Sequence, residues 1–200
     1  MQTLVIDAKF VLAFVAFLLS AAAYVPYVLG ILHHSARPTM SSWIAWGLMD
    51  VVLLWTAIAA KSLMAFQMAA YTFGVLIVLL ACISRRAYMG WTTLDTKCVG
   101  IVVLSVIAWL MTGSASLVIV LCLIAAVVGT WPLIVNLRED PTREPVTPWI
   151  LVALGSVFGI MAIREFTIVN AATPIVFLLL QVYILKLIFP HRIREALRDQ

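Results

Sequence analysis

YVPYVLGILHHSARPTMSSWIAWGLMD (residues 24–50) and TWPLIVNLREDPTREPVTPWILVALGS (residues 130–156) are two copies of one plan. Pro26 and Pro132, Trp43 and Trp149, Ile44 and Ile150, and Leu48 and Leu154 all stand about 106 residues apart, the fixed offset that marks an internal repeat. Each copy is an apolar run ending in a proline turn, a short polar hinge holding Pro38 or Pro145, and a second apolar run opened by tryptophan. The organisation of the whole chain follows from this duplication.

Outside the hinges the chain is almost entirely apolar. Hydrophobic residues make up 64% of it and charged residues 11%, and the mean hydropathy is +1.12. A soluble domain of this length has no interior large enough for so much apolar surface, so the composition specifies an integral membrane protein. Lipid offers no hydrogen bonds to backbone groups, so the spans must be helices, each about 20 residues long to cross a hydrocarbon core of roughly 30 Å. Seven candidate spans result, at 10–32, 41–60, 64–84, 98–112, 117–137, 148–163 and 166–189. The first carries Asp7 and little positive charge before it, unlike a signal peptide, and is expected to be retained. Cys82, Cys98 and Cys122 have no metal-type spacing and read as packing residues.

Basic residues orient the spans. Lys9, Lys61 and Arg164 fall on one side of the membrane and the other basic residues on the opposite side. Because Lys and Arg are retained on the cytoplasmic side, the amino terminus is expected outside and the carboxyl terminus in the cytoplasm, in an inner membrane of bacterial type. The pI of about 9.2 therefore needs no nucleic-acid partner. Three spans end opposite to where they start, so two triplets run parallel only if one further crossing joins them. The expected fold is all-α and polytopic: a first three-helix repeat at 1–84, a loop and linker helix at 85–116, and a second repeat with a cytoplasmic tail at 117–200. Three, one and three spans with parallel repeats is a transporter architecture.

The proline turn at the end of the first helix of each triplet, the tryptophan opening the second and an amide early in the third resemble the SWEET, SemiSWEET and PQ-loop superfamily. More narrowly, PYVLGIL followed by RP and SSWIAW, with the later TWP and TPWI, is similar to small bacterial membrane proteins of that type. The chain has Pro26-Tyr27 and Pro132-Leu133 where the PQ-loop pattern has proline followed by glutamine. The resemblance implies solute transport by alternating access, and an asparagine on the third helix of a triplet that contacts substrate. Asn170 resembles that residue, and Gln67 occupies the related place in the first triplet with the copies shifted by about three residues.

Among the acidic residues, Asp50 alone falls at the middle of a span. A charged Asp there costs about 2.5–3.5 kcal/mol on insertion scales, and such residues face a cavity, a partner or a proton path. Asp50 is therefore the candidate for proton coupling as well as for substrate binding, beside the plainer reading of a carboxyl that only bonds a neighbouring helix. Trp43, Trp46 and Asp50 share one face of the second helix by their spacing, and Trp149 and Ser156 occupy the matching face of the sixth. Aromatic rings beside a carboxylate can bind a sugar, a nucleoside or a cation, although Trp43 and Trp149 also suit an interfacial aromatic belt. Asn170, Thr173, Pro174, Phe177 and Gln181 form one stripe on the seventh helix, and Gln67, Tyr71 and Gly74 a similar stripe on the third. Polar residues in such stripes can instead hold helices together. Pro26, Pro132 and Pro174 remove backbone donors and bend their helices, which makes them hinge candidates.

These residues lead to one expectation: a transporter or facilitator of a small polar solute such as a sugar, amino acid or nucleoside, open alternately to each side as the triplets rock. The alternative is a receptor, lipid-binding or assembly protein that keeps the fold without a path. No nucleophile, metal cluster or glycine-rich phosphate loop suggests an enzyme or a cofactor. The partners expected are membrane lipids and the solute, and two triplets in one chain suit a monomer as well as a homodimer.

Overall fold

The computed structural model describes residues 7–86, 91–112 and 115–198. Arg192, Arg194 and Arg198, counted in the charge balance, have side chains outside the described ones. Among the described residues seven α-helices follow one another: α1 (Ala8–Leu32), α2 (Met40–Ala59), α3 (Met64–Arg85), α4 (Thr93–Thr112), α5 (Ala115–Glu139), α6 (Val146–Met161) and α7 (Ile168–Arg198), with a 3-10 turn, Pro141–Arg143, before α6. No strand occurs among the described residues. Five helices, α1, α2, α3, α5 and α7, are long and apolar enough to cross a membrane, and α6 is a shorter apolar helix.

Local chemistry sets the ends. The Asp7 side chain accepts from Lys9 N at 2.9 Å and caps α1. His34, Lys61 and Arg86 have φ of 56°, 51° and 50°, the left-handed conformation that ends helices and is usually taken by glycine. In α4 the start differs from expectation. The reading from hydropathy opened this span at 98, whereas the helix begins at Thr93, because Thr92 N donates to Asp95 Oδ2 at 2.6 Å and Asp95 N donates back to Thr92 Oγ1 at 3.3 Å. This reciprocal pair is a capping box. Ser41 also donates to Asp95, which ties α4 to the start of α2.

Packing follows the repeat. In the first triplet α3 lies between α1 and α2, and in the second α7 lies between α5 and α6. Between the triplets α1 meets α6 and, as the matching pair, α2 meets α5, while α4 lies against α2 and α5. A shared pseudo-two-fold plan gives this pattern, so the expected division into three, one and three helices holds. Both inter-triplet contacts are built on small residues: a Cβ on Gly155 would stand 2.5 Å from Ser20 Oγ, and one on Gly129 would stand 2.7 Å from Ala45 Cβ. Large apolar side chains such as Trp55, Phe73 and Leu80 point outward and are more than half exposed, as expected of a surface that meets lipid rather than water. Pro26 and Pro132 lie at matching positions inside α1 and α5, and Pro174 lies inside α7. Cys82, Cys98 and Cys122 are buried and free of disulfides.

Candidate functional site

Between the triplets, in the half of the bundle nearer the two hinges, lies a cavity of about 90 Å³, several times what one water needs. Asp50 lines it from α2 and is only 3% exposed. Its Oδ1 is buried without a hydrogen-bond partner among the described residues. Trp43 and Trp46, which spacing placed on the same helix face, line the same cavity, and so do Tyr71 from α3 and Trp149 from α6.

The tryptophans stand as a chain of edge contacts. Trp43 and Trp46 have centroids 5.2 Å apart at 76°, and Trp46 and Trp149 are 6.0 Å apart at 74°. Trp46 thus sits between two residues that are equivalents in the repeat. Trp43 is 5% exposed and Trp149 8%, so both face the interior and neither belongs to an outward aromatic belt. Tyr71 and Phe177, also about 106 residues apart, pack against each other across the pseudo-axis at 5.6 Å.

Below Asp50 a polar layer crosses the bundle. Gln67 Nε2 donates to Tyr71 Oη at 2.9 Å and approaches Ser20 and Ser156 at 3.4 Å. Ser156 donates to Gln181 Oε1 at 2.8 Å, and Gln181 Nε2 donates to Tyr71 Oη at 3.2 Å. With those protons assigned, the Tyr71 hydroxyl donates to Ser156 Oγ at 3.1 Å, which closes a ring of three. Gln67 and Ser156 therefore belong to this layer and not to the cavity wall, while Gln181 serves both.

A second cavity of about 210 Å³ lies beyond the layer, toward the amino-terminal end, and includes Lys61, Gln67, Arg164, Glu165 and Asn170. Asn170, which the resemblance would put against substrate, lies here together with Gln67, whereas Asp50 lines the first cavity. Asn170 accepts from Ser62 Oγ at 2.8 Å and donates to Glu165 O at 3.1 Å; it is held by the loop between α2 and α3, at the other end of the stripe from Phe177 and Gln181. Thr173 is buried but lines neither of these two cavities. An α-helix rises 1.5 Å per residue, so Asn170 and Gln181 stand about 16 Å apart along α7.

Three functional candidates escaped the sequence. Tyr24 and Tyr27 enter the cavity from α1; Gly74 makes room for the Tyr24 ring, which a Cβ there would overlap. Glu144, which reads as a loop residue, is 1% exposed. It accepts from Tyr27 Oη at 2.8 Å and from Trp149 Nε1 at 3.2 Å, bracing a side chain of each triplet at the hinge end of the cavity. Burial pushes its carboxyl up to about 7, against the opposing pull of those two donors. The aromatic spacing of Tyr24 and Tyr27 around Pro26 was available as a signal. Nothing in the local sequence distinguishes Glu144 from Glu139 or Asp140.

Fold and site define a class: an all-α polytopic membrane protein of duplicated three-helix units with a carboxyl-bearing aromatic cavity between them. Comparison of the chain with protein-family models, with curated proteins and with solved structures finds no match in any of the three.

Proposed function

We propose that the protein is a transporter or facilitator of a small polar solute, similar in plan to the SWEET, SemiSWEET and PQ-loop superfamily. The observation that carries this reading is Asp50: a carboxyl with an unpartnered oxygen lines an internal cavity between two repeats, where alternating-access proteins place their substrate. The arrangement around it supports the same reading. The polar layer of Gln67, Tyr71, Ser156 and Gln181 separates this cavity from a second one toward the other end of the bundle. Ties between the triplets exist at both ends, from Tyr27 to Glu144 and from Ser62 to Asn170. Breaking one set while keeping the other would open the central cavity to one side at a time. Asp50 would then bind solute and carry the coupled proton, with no cofactor and no covalent chemistry. The amino terminus lies outside, and a monomer suffices.

Uptake into proteoliposomes across a pH gradient, with a mixed panel of small solutes and with the parent compared to Asp50→Asn, tests this. Gradient-driven uptake of at least one solute, reduced at least about tenfold in the folded variant, is expected. A folded parent protein that moves nothing in the panel would remove the transport reading.

A further inference from the structure

The hydrogen-bonding capacity of the central cavity is largely used within the protein. Trp46 Nε1 donates to Thr130 Oγ1 at 3.2 Å, Tyr24 Oη to Tyr71 O at 3.3 Å, and Tyr27 Oη to Glu144. Gln181 is committed to the polar layer. Asp50 Oδ1 in the wall has no hydrogen-bond partner among the described residues, and Trp43 Nε1 makes no hydrogen bond of full geometry there, lying only within reach of the Tyr27 hydroxyl, which is committed to Glu144. A sugar or nucleoside presents many hydroxyls and amides, each costly to bury unpaired, and this wall has little left to offer them.

Charge and ring chemistry point the same way. Asp50 is the one acidic residue lining the cavity, and among the described residues no Lys, Arg or His lines it. The second acid, Glu144, lies just behind Tyr27 and Trp149. A buried carboxyl either holds its proton or meets a compensating positive charge, and no described side chain of the wall supplies that charge. Trp43, Trp46, Trp149, Tyr24 and Tyr71 line the same cavity as the acid, and aromatic rings attract a desolvated ammonium.

We infer that the cavity takes a small alkylammonium ion carrying one acceptor oxygen, with Asp50 as the counter-charge, the rings as walls and Trp43 Nε1–H as donor to the oxygen. This inference rests on the reading that the cavity receives a solute, and it names the solute's class.

Choline and its uncharged isostere 3,3-dimethylbutan-1-ol, which differ in the charge alone, provide the test in detergent-solubilised full-length protein. Binding is read from quenching of tryptophan fluorescence and from thermal stabilisation. Choline is expected to bind saturably and at least about tenfold more tightly than the isostere, and Asp50→Asn to remove that preference. Trp43→Phe, which keeps a ring and removes the donor, is expected to narrow the gap between choline and tetramethylammonium. Equal binding of choline and the isostere by the unsubstituted protein, or binding of glucose without choline, overturns the inference whatever the variants do. Uptake of labelled choline into proteoliposomes separates the two levels. Choline that binds but does not cross keeps the cation site and removes transport; a neutral solute that crosses while choline neither binds nor crosses keeps transport and removes the cation site.

Discussion

Asp50 and Glu144 are both buried acids near one cavity, but they differ in what holds them. Glu144 has two donors and braces both triplets; Asp50 Oδ1 has none among the described residues. Replacing Asp50 by Asn removes a charge that the fold does not compensate, so the variant is expected to melt no lower than the parent while its uptake is lost. A large drop in melting temperature would mean instead that the carboxyl is structural. Glu144 titrates near pH 7 in the fold and near its ordinary 4.5 when unfolded. Between those values the folded chain holds the extra proton, so stability declines as pH rises through the window and levels off above about 7. From about pH 5 to about pH 8 the parent is expected to lose roughly 5–10 °C of melting temperature that Glu144→Gln does not lose. Parallel profiles for the two proteins would refute the assignment.

At the scale of helices, the close crossing of α2 and α5 depends on the absence of a side chain at Gly129, where an added Cβ would meet Ala45 Cβ at 2.7 Å. Neither atom can rotate away, so Gly129→Ala must move a helix, and a loss of about 1–3 kcal/mol is expected. Gly100 on α4 is the control, since a Cβ there meets nothing within 4 Å. Gly100→Ala is expected to be neutral or to stabilise by up to about 1 kcal/mol through helix propensity. Denaturant unfolding of both variants in the same detergent compares them, and equal losses would discount the crossing. α6 is the short element: its 16 residues cover about 24 Å at 1.5 Å per residue. That is less than the roughly 30 Å of a hydrocarbon core.

For the whole molecule, the two hinges touch. Arg37 N donates to Arg143 O at 3.2 Å, and Asn136 Nδ2 donates to Thr39 Oγ1 at 2.8 Å. If the triplets rock, these contacts separate once per cycle. A disulfide between Arg37→Cys and Arg143→Cys is therefore expected to abolish uptake, and reductant to restore it; full uptake by the cross-linked protein would exclude opening at the hinge end. Orientation can be read independently. A membrane-impermeant maleimide is expected to label Lys61→Cys in intact cells and His34→Cys only after permeabilisation, since the two positions are exposed at opposite ends of the bundle. The reverse pattern would invert the topology.

The helical class, the membrane environment and the duplicated triplet were legible in the chain itself. Apolar runs in lipid have one way to satisfy their backbone, and a fixed offset between Pro26 and Pro132 or Trp43 and Trp149 survives without any knowledge of contacts. Part of the site was equally legible: Trp43, Trp46 and Asp50 share a helix face by period alone, and that face does line the cavity. Tertiary structure decided the rest, because periodicity places a residue on a face and says nothing about which face of another helix it meets or at what depth. Hydropathy averaged away the capping box at Thr92 and Asp95, and so misplaced the start of α4. Asn170 shares a stripe with Gln181 yet stands at the far end of α7, bonded to Ser62 and away from Asp50. Glu144 lies in a polar hinge, and only the folding of that hinge onto Tyr27 and Trp149 turns a loop glutamate into a buried brace between the two halves.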